Sequence, residues 1–122
     1  MVSETKSDFK ESHIEADGFQ IRVLEAGQGD TVVILDTMSW GLTRLHYGLA
    51  RKNRLIVLEL PGFGESPANG RSNSIKDLAS TLAQASGKAA DSEFTLIGTS
   101  LAANVALWQA LQNPDEVEAL IL

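Results

Sequence analysis

The chain has 122 residues, of which 43% are hydrophobic and 21% are charged, a balance typical of one soluble globular domain. The net charge of −6 makes nucleic acid and anionic membranes unsuitable partners, and the absence of cysteine excludes disulfides and thiolate metal sites. No apolar run approaches the roughly 20 residues that cross a bilayer. The polar residues 1–12 also lack the apolar stretch of a signal peptide. We therefore expect a soluble cytoplasmic protein.

The N-terminal region predicts a lead-in followed by a hairpin. Residues 1–12 are expected to be flexible, and the single domain is expected to cover residues 13–122. Two segments in which apolar and polar residues alternate, 13–16 and 19–26, flank Asp17-Gly18. Alternation is typical of strands with one solvated face, and Asp-Gly is a strong signal for a tight hairpin turn. The domain is therefore predicted to begin with an antiparallel hairpin.

The later strands are continuous and apolar, which predicts strands covered on both faces, as in a parallel sheet. They alternate with segments of helical periodicity, and such alternation requires right-handed crossovers within one sheet. The predicted fold class is α/β, with a doubly wound, mostly parallel sheet and an antiparallel hairpin at its N-terminal edge. The predicted strands are 31–35, 55–58, 94–97 and 117–122, and the predicted helices are 41–52, one that begins at 72–74 and ends near Gly87, and 101–112.

The sequence around Ser100 is the segment that points to chemistry. A strand ends at Gly98-Thr99-Ser100-Leu101-Ala102, and a helix follows. A serine that stands clear of the sheet at such a junction needs small residues two positions before and after it, and Gly98 and Ala102 meet this need. The Leu101 amide would then open the helix and could donate to a developing oxyanion. The alternative is that Ser100 merely caps the helix.

These features resemble the N-terminal half of the α/β-hydrolase fold family, over about residues 13–122. Segment 59–66, Glu-Leu-Pro-Gly-Phe-Gly-Glu-Ser, is similar to the family's D-x-P-G-x-G-x-S motif, and residues 113–122 look like its helix end and following strand. The resemblance implies a serine hydrolase with Ser100 as the nucleophile, which acts on an ester, lactone or related carbonyl substrate through an acyl-enzyme. Serine in place of aspartate at this position disfavours the dehalogenase and epoxide hydrolase branches.

Two positions depart from the family pattern. Glu59 replaces the usual aspartate, which we expect to affect loop anchoring more than chemistry. The family's third strand ends in His-Gly and opens the loop that supplies a second oxyanion amide, whereas this chain reads Asp36-Thr37-Met38-Ser39-Trp40. The resemblance assigns that amide to Met38, or to Thr37 if the gap lies elsewhere. Asp36 has the wrong charge for an oxyanion site, and the alternative is that it is a helix N-cap or turn residue.

The family's catalytic order is nucleophile, acid, histidine, and no histidine follows Ser100 in this sequence. Neither His13, which opens the hairpin, nor His46, in the first helix, is expected to replace it, and both are predicted to be surface or boundary residues. Without a general base, a serine hydroxyl is a poor nucleophile at neutral pH. The acids that follow Ser100 are expected on the far side of the sheet; they are Asp115, Glu116 and Glu118.

Three interpretations stay open. The favoured one is the N-terminal part of a serine hydrolase that is incomplete in these residues and acts on a small-molecule substrate as a complete protein. The second is a short or degenerate hydrolase-fold interaction module without catalysis, which forms a homo-oligomer through its exposed last strand. The third is a different doubly wound binding domain in which the serine motif is coincidental. We expect no cofactor and no metal, because no His, Asp and Glu cluster has metal-ligand spacing.

Overall fold

Six strands and three helices are found in the computed structural model, which describes residues 9–38, 41–60, 75–100 and 102–122. The strands are β1 (Lys10–Ala16), β2 (Phe19–Ala26), β3 (Thr31–Asp36), β4 (Arg54–Glu59), β5 (Phe94–Gly98) and β6 (Val117–Ile121). The helices are α1 (Arg44–Ala50), α2 (Ile75–Ala90) and α3 (Ala102–Gln112). Within these ranges, no helix has the length and apolar character needed to cross a bilayer.

All six strands belong to one mixed sheet with the order β1-β2-β4-β3-β5-β6. The pairs β3–β4, β3–β5 and β5–β6 are parallel, whereas β2 is antiparallel to both β1 and β4. The hairpin turn has positive φ at both Asp17 (55°) and Gly18 (85°), as a type I′ turn requires. This arrangement confirms the predicted fold class.

The central strands are apolar on both faces because helices cover both sides of the sheet. On β3, Val33 and Leu35 belong to the core under α2 and α3, whereas Val32 and Ile34 belong to the core on the side of α1. Neighbouring residues of a strand point to opposite faces, so a covered sheet needs apolar side chains at every position. This geometry explains the continuous apolar runs in the sequence.

The first strand begins earlier than predicted. β1 starts at Lys10, and its first three residues pair in register with Glu25, Leu24 and Val23 of β2. Lys10, Glu11 and Ser12 are exposed and polar, which is why the sequence favours a lead-in there, although their backbone completes the hairpin. The predicted flexible segment therefore overlaps the sheet at these residues.

Helix α2 ends at Ala90, three residues beyond the predicted stop at Gly87. Two contacts explain the extra turn. Arg54 of β4 donates from Nη1 to the Ala90 carbonyl and from Nη2 to the Ala89 carbonyl, each at 2.8 Å, so the last carbonyls of the helix have partners. Asp91 then takes φ +55°, the left-handed conformation that ends many helices. The same Arg54 also donates from Nε to Glu25 Oε2 at 2.7 Å.

The other helices lie within their predicted ranges. α1 is shorter than predicted because Thr43 is its N-cap. The predicted loop after Leu60, the predicted start of the second helix at 72–74, and Ser39 and Trp40 lie outside the described residues.

Candidate active site

The carboxyl ends of three parallel strands meet at one edge of the sheet. Asp36, the last residue of β3, pairs in register with Glu59, the last residue of β4, and Leu35 pairs with Gly98 at the end of β5. Ser100 follows two residues after Gly98. In open α/β sheets, ligands bind at this edge, where the chain turns from strand to helix. Ser100 and Asp36 therefore share the edge where a substrate site is expected.

Ser100 lies in the turn between β5 and α3 with φ +56°. A residue with a Cβ atom rarely adopts this left-handed conformation, and where it persists it marks strain that the surroundings maintain. Two backbone hydrogen bonds close the turn: the Ala102 amide donates to the Thr99 carbonyl at 2.9 Å, and the Ala103 amide donates to the Ser100 carbonyl at 3.0 Å. The side chain is exposed, as a nucleophile at the end of a strand has to be.

Gly98 lets helix α3 pack directly against the strand. A Cβ atom at Gly98 would lie 2.6 Å from the Ala106 Cβ, 2.7 Å from the Ala102 carbonyl oxygen and 3.0 Å from the Ala103 Cα. Ala102 and Ala106 are themselves fully buried. The small residues on either side of Ser100 therefore meet the steric need from which the sequence predicted a strand–nucleophile–helix turn.

Leu101, the predicted amide donor to the oxyanion, lies outside the described residues. The described part of α3 begins at the next residue, Ala102. Its role stays a prediction that rests on its place in the sequence, directly before the first described residue of the helix.

His46 is buried, with 3% of its surface exposed, so the prediction of a surface or boundary residue is wrong. Its Nε2 lies 2.9 Å from Asp36 Oδ2, and its Nδ1 lies 2.9 Å from the Thr43 amide nitrogen and 3.0 Å from Thr43 Oγ1. A backbone amide only donates, so Nδ1 accepts and the ring proton on Nε2 points at the carboxylate. The prediction failed because the helical spacing of Leu42, Leu45 and Leu49 favours a core-facing apolar stripe with His46 on its solvent side, whereas Leu45 is in fact 50% exposed.

A sequence signal for this arrangement was available. Thr43 and His46 stand three residues apart at the start of α1, and they form a reciprocal capping arrangement of the kind that Ser or Thr forms with Glu or Gln. Glutamate and glutamine are the usual residues three positions after the N-cap, so a histidine there is a weaker sequence signal. The partner of His46 is Asp36 on β3, ten residues earlier, and no local sequence pattern predicts this contact.

Asp36 is a turn residue, one of the two alternatives left open by the sequence. Its Oδ1 accepts a hydrogen bond from the Met38 amide at 2.9 Å, and Met38 has φ +60°. Burial alone would raise the pKa of the Asp36 carboxyl, but hydrogen bonds from His46 and from the amides of the next two residues outweigh it and hold the pKa below its ordinary value. The Met38 amide, the predicted second oxyanion donor, is therefore bonded to a carboxylate within the chain.

Glu59 is 1% exposed, and its Oε2 lies 3.4 Å from Nη1 of Arg22 on β2. Arg22 also pairs through Nε with Glu11 Oε2 at 3.1 Å. A buried carboxylate needs such a partner because desolvation penalises the charged form. Glu59 thus ties the hairpin to the end of β4, and its charge is compensated by Arg22 at this edge.

His13, Asp115 and Glu116 all lie away from Ser100. His13 lies on β1, four strand spacings from β5, which is about 19 Å at about 4.8 Å per strand. Asp115 and Glu116 lie where the sequence predicted, since both precede β6 at the amino edge of the sheet, and Glu118 is the second residue of β6. The structure therefore brings Ser100, Asp36 and His46 to one side of the fold and leaves the other titratable candidates elsewhere.

A mixed α/β sheet with a strained serine between a central strand and its following helix defines a class of hydrolase-like folds. Residues 35–122, more than half of the chain, match the model of the alpha/beta hydrolase fold family, and the chain belongs to this family. No curated protein matches the sequence.

Solved structures show the same fold. Cfl2 from Burkholderia cenocepacia has a TM-score of 0.82 at 27% identity, with 92% of this chain and 40% of that chain covered. ALR0039 from Nostoc sp PCC 7120 has a TM-score of 0.81 at 21% identity, with 93% of this chain and 42% of that chain covered. The epoxide hydrolase VrEH1 from Vigna radiata has a TM-score of 0.80 at 21% identity, with 92% and 38% covered. This chain thus spans about 40% of the length of these relatives.

Proposed function

We propose that Ser100 is the nucleophile of a serine hydrolase that cleaves an ester, lactone or related carbonyl substrate through an acyl-enzyme. The observation that carries the proposal is the φ of +56° at an exposed serine between β5 and α3. A helix cap does not require this conformation, because N-cap residues have extended backbone. Strain of this kind at a strand–helix turn is instead expected where a side chain has to be held clear of the sheet.

The proposed reaction begins with attack of Ser100 Oγ on the substrate carbonyl carbon. The hydroxyl proton passes to a general base, the carbonyl oxygen becomes an oxyanion, and collapse expels the leaving alcohol, which takes up the proton. Water then attacks the acyl carbon, the bond between that carbon and Ser100 Oγ breaks, and Oγ takes back a proton as the acid leaves. The amide at Leu101 is the proposed donor to the oxyanion, supported by the helix dipole.

Neither of the two histidines is placed to act as the general base of this reaction. His46 uses both ring nitrogens, one on Asp36 and one on Thr43, and His13 lies on the outer strand. A base supplied from solution therefore gives the cleanest test of Ser100 in these 122 residues.

The test is labelling of the full chain with a fluorophosphonate, with and without added imidazole. Ser100 Oγ would form the O–P bond, fluoride would leave, and imidazole would take the proton. We expect slow labelling without imidazole and at least about a tenfold faster rate with it, given what general base catalysis contributes. Peptide mass spectrometry locates the modified residue.

Ser92 is the matched control, because it is also exposed but lies at the amino edge of the sheet. Ser100→Ala should abolish the imidazole-dependent labelling, and Ser92→Ala should leave it unchanged. Labelling of Ser92 and Ser100 at equal rates, or no acceleration by imidazole, would contradict the proposal.

A second candidate function, an interaction module that forms a homo-oligomer through β6, is favoured by the character of that strand. Within the described part of the chain, β6 pairs with β5 alone. Ile121, the last residue of the strand, is 52% exposed. An apolar edge strand of this kind can pair with another chain.

A further inference from the structure

The backbone amides that follow β3 already have an anionic partner, which is a carboxylate of the chain itself. The Asp36 carboxylate accepts a hydrogen bond from the Met38 amide at 2.9 Å and a further one from the Thr37 amide. Consecutive backbone amides that converge on one point form an anion-binding concavity. Because the loop carries an aspartate at its start, this concavity is filled before any substrate arrives.

His46 holds the carboxylate in this position. Its Nε2 bonds the second carboxylate oxygen at 2.9 Å, and its Nδ1 is fixed by the Thr43 amide at 2.9 Å. The His46 side chain is 4% exposed and the Asp36 side chain 18% exposed. Rotation of Asp36 away from the amides would therefore leave a buried imidazole N–H without its acceptor, which is unfavourable.

We infer that Asp36 masks an oxyanion site at the amides of Thr37 and Met38, in the orientation in which it bonds His46. The inference rests on the proposed function for its meaning in catalysis, because the family resemblance assigns the second oxyanion amide of that reaction to Met38. In the resting chain, the site repels a small carboxylate or a developing oxyanion. Without the Asp36 carboxylate, the same amides bind a small carboxylate.

The masking makes a direct prediction for the intact chain, which amide NMR can test without any substitution. The Met38 amide proton donates to Asp36 Oδ1, so its chemical shift should follow protonation of that carboxyl group. His46 is the titratable group that faces Asp36 from α1, and its ring signals are recorded in the same experiment. A Met38 amide that does not respond when Asp36 is protonated would overturn the inference.

The second measurement is titration with sodium acetate at constant ionic strength and neutral pH. In Asp36→Ala, we expect a saturable shift of the Met38 amide at least about tenfold larger than in the unaltered chain. Glu93→Ala is the matched control, because it removes one negative charge at an exposed residue on the opposite edge of the sheet. It should behave like the unaltered chain.

Two results would refute the masking: equal acetate shifts in the unaltered chain and in Asp36→Ala, or no shift in either. Asp36→Ser retains a neutral acceptor beside the amide and serves in place of Asp36→Ala if the latter does not fold. Neither measurement involves a reaction at Ser100. Failure of Ser100 to accept the phosphonate would therefore refute the proposed function and leave the result on Asp36 standing.

Discussion

Gly98 offers the sharpest test of the packing that positions Ser100. Replacing it with alanine puts a Cβ atom 2.6 Å from the Ala106 Cβ and 2.7 Å from the Ala102 carbonyl oxygen. Non-bonded carbon atoms rest about 3.5–4.0 Å apart, so the contact between the two Cβ atoms is short by about 1 Å. Cβ atoms essentially never approach another heavy atom within 3.0 Å, so the contact with the Ala102 oxygen is also too short. The Ala102 oxygen belongs to the backbone of α3 and cannot rotate away. The helix itself has to move from the strand.

The expected loss in the free energy of unfolding lies at the upper end of the range for overpacked cores. Inserted methyl groups in packed cores destabilise by about 1–3 kcal/mol, and we expect about 3 kcal/mol here because two rigid backbone atoms and a buried methyl are involved. Gly48→Ala in α1 is the matched control. A Cβ at Gly48 meets nothing within 4 Å, so this change should stabilise by up to about 1 kcal/mol through helix propensity.

Urea denaturation of the full chain measures both effects as changes in the free energy of unfolding. Adding Ala106→Gly to Gly98→Ala removes the shortest contact, so the double variant should be more stable than the sum of the two single changes. If Gly98→Ala does not fold, recovery of folding in the double variant gives the same information. A loss below about 0.5 kcal/mol in Gly98→Ala, the range of surface substitutions, would refute the steric argument.

Two further predictions concern charge and the sheet edge. Because the pKa of Asp36 is lowered in the folded chain, its carboxylate should stabilise the fold fully above about pH 3.9 and lose this contribution as the pH falls through the folded pKa. The stability difference between the unaltered chain and Asp36→Ala, from urea denaturation, should shrink over that interval, and a constant difference would contradict this account. If β6 pairs with a second copy, light scattering should detect a dimer at high concentration, and Ile121→Lys should abolish it. Leu45→Lys, at a residue of similar exposure on α1, should not, and a monomeric unaltered chain would exclude the pairing.

The sequence predicted the features that depend on neighbouring residues. Continuous apolar runs predicted the central strands, and Asp17-Gly18 predicted the hairpin turn. The small residues around Ser100 predicted a tight turn between strand and helix, because the steric need there is local to five residues. These predictions succeeded because their physical causes lie within a few positions of each other in the chain.

The features that were missed depend on contacts between distant segments. The burial of His46 depends on a carboxylate at the end of β3, and the engagement of the Met38 amide depends on the same carboxylate. Hydrophobic periodicity contains no information about such polar pairs. The position of a catalytic base is likewise not a local property, which is why the sequence could name Ser100 but could not complete its site.

The end of α2 shows how a helix boundary can belong to the tertiary structure. The Ala89 and Ala90 carbonyls receive their hydrogen bonds from Arg54, more than thirty positions earlier in the chain. Before β4 joins the sheet, these carbonyls lack that partner. The isolated helix is then expected to end near Gly87, where the sequence pattern predicts its end. The last turn is therefore formed by docking: closing the loop between β4 and α2 has an entropic cost, and the guanidinium contacts offset part of it. The last turn of α2 is therefore expected to form only when β4 has joined the sheet beside it.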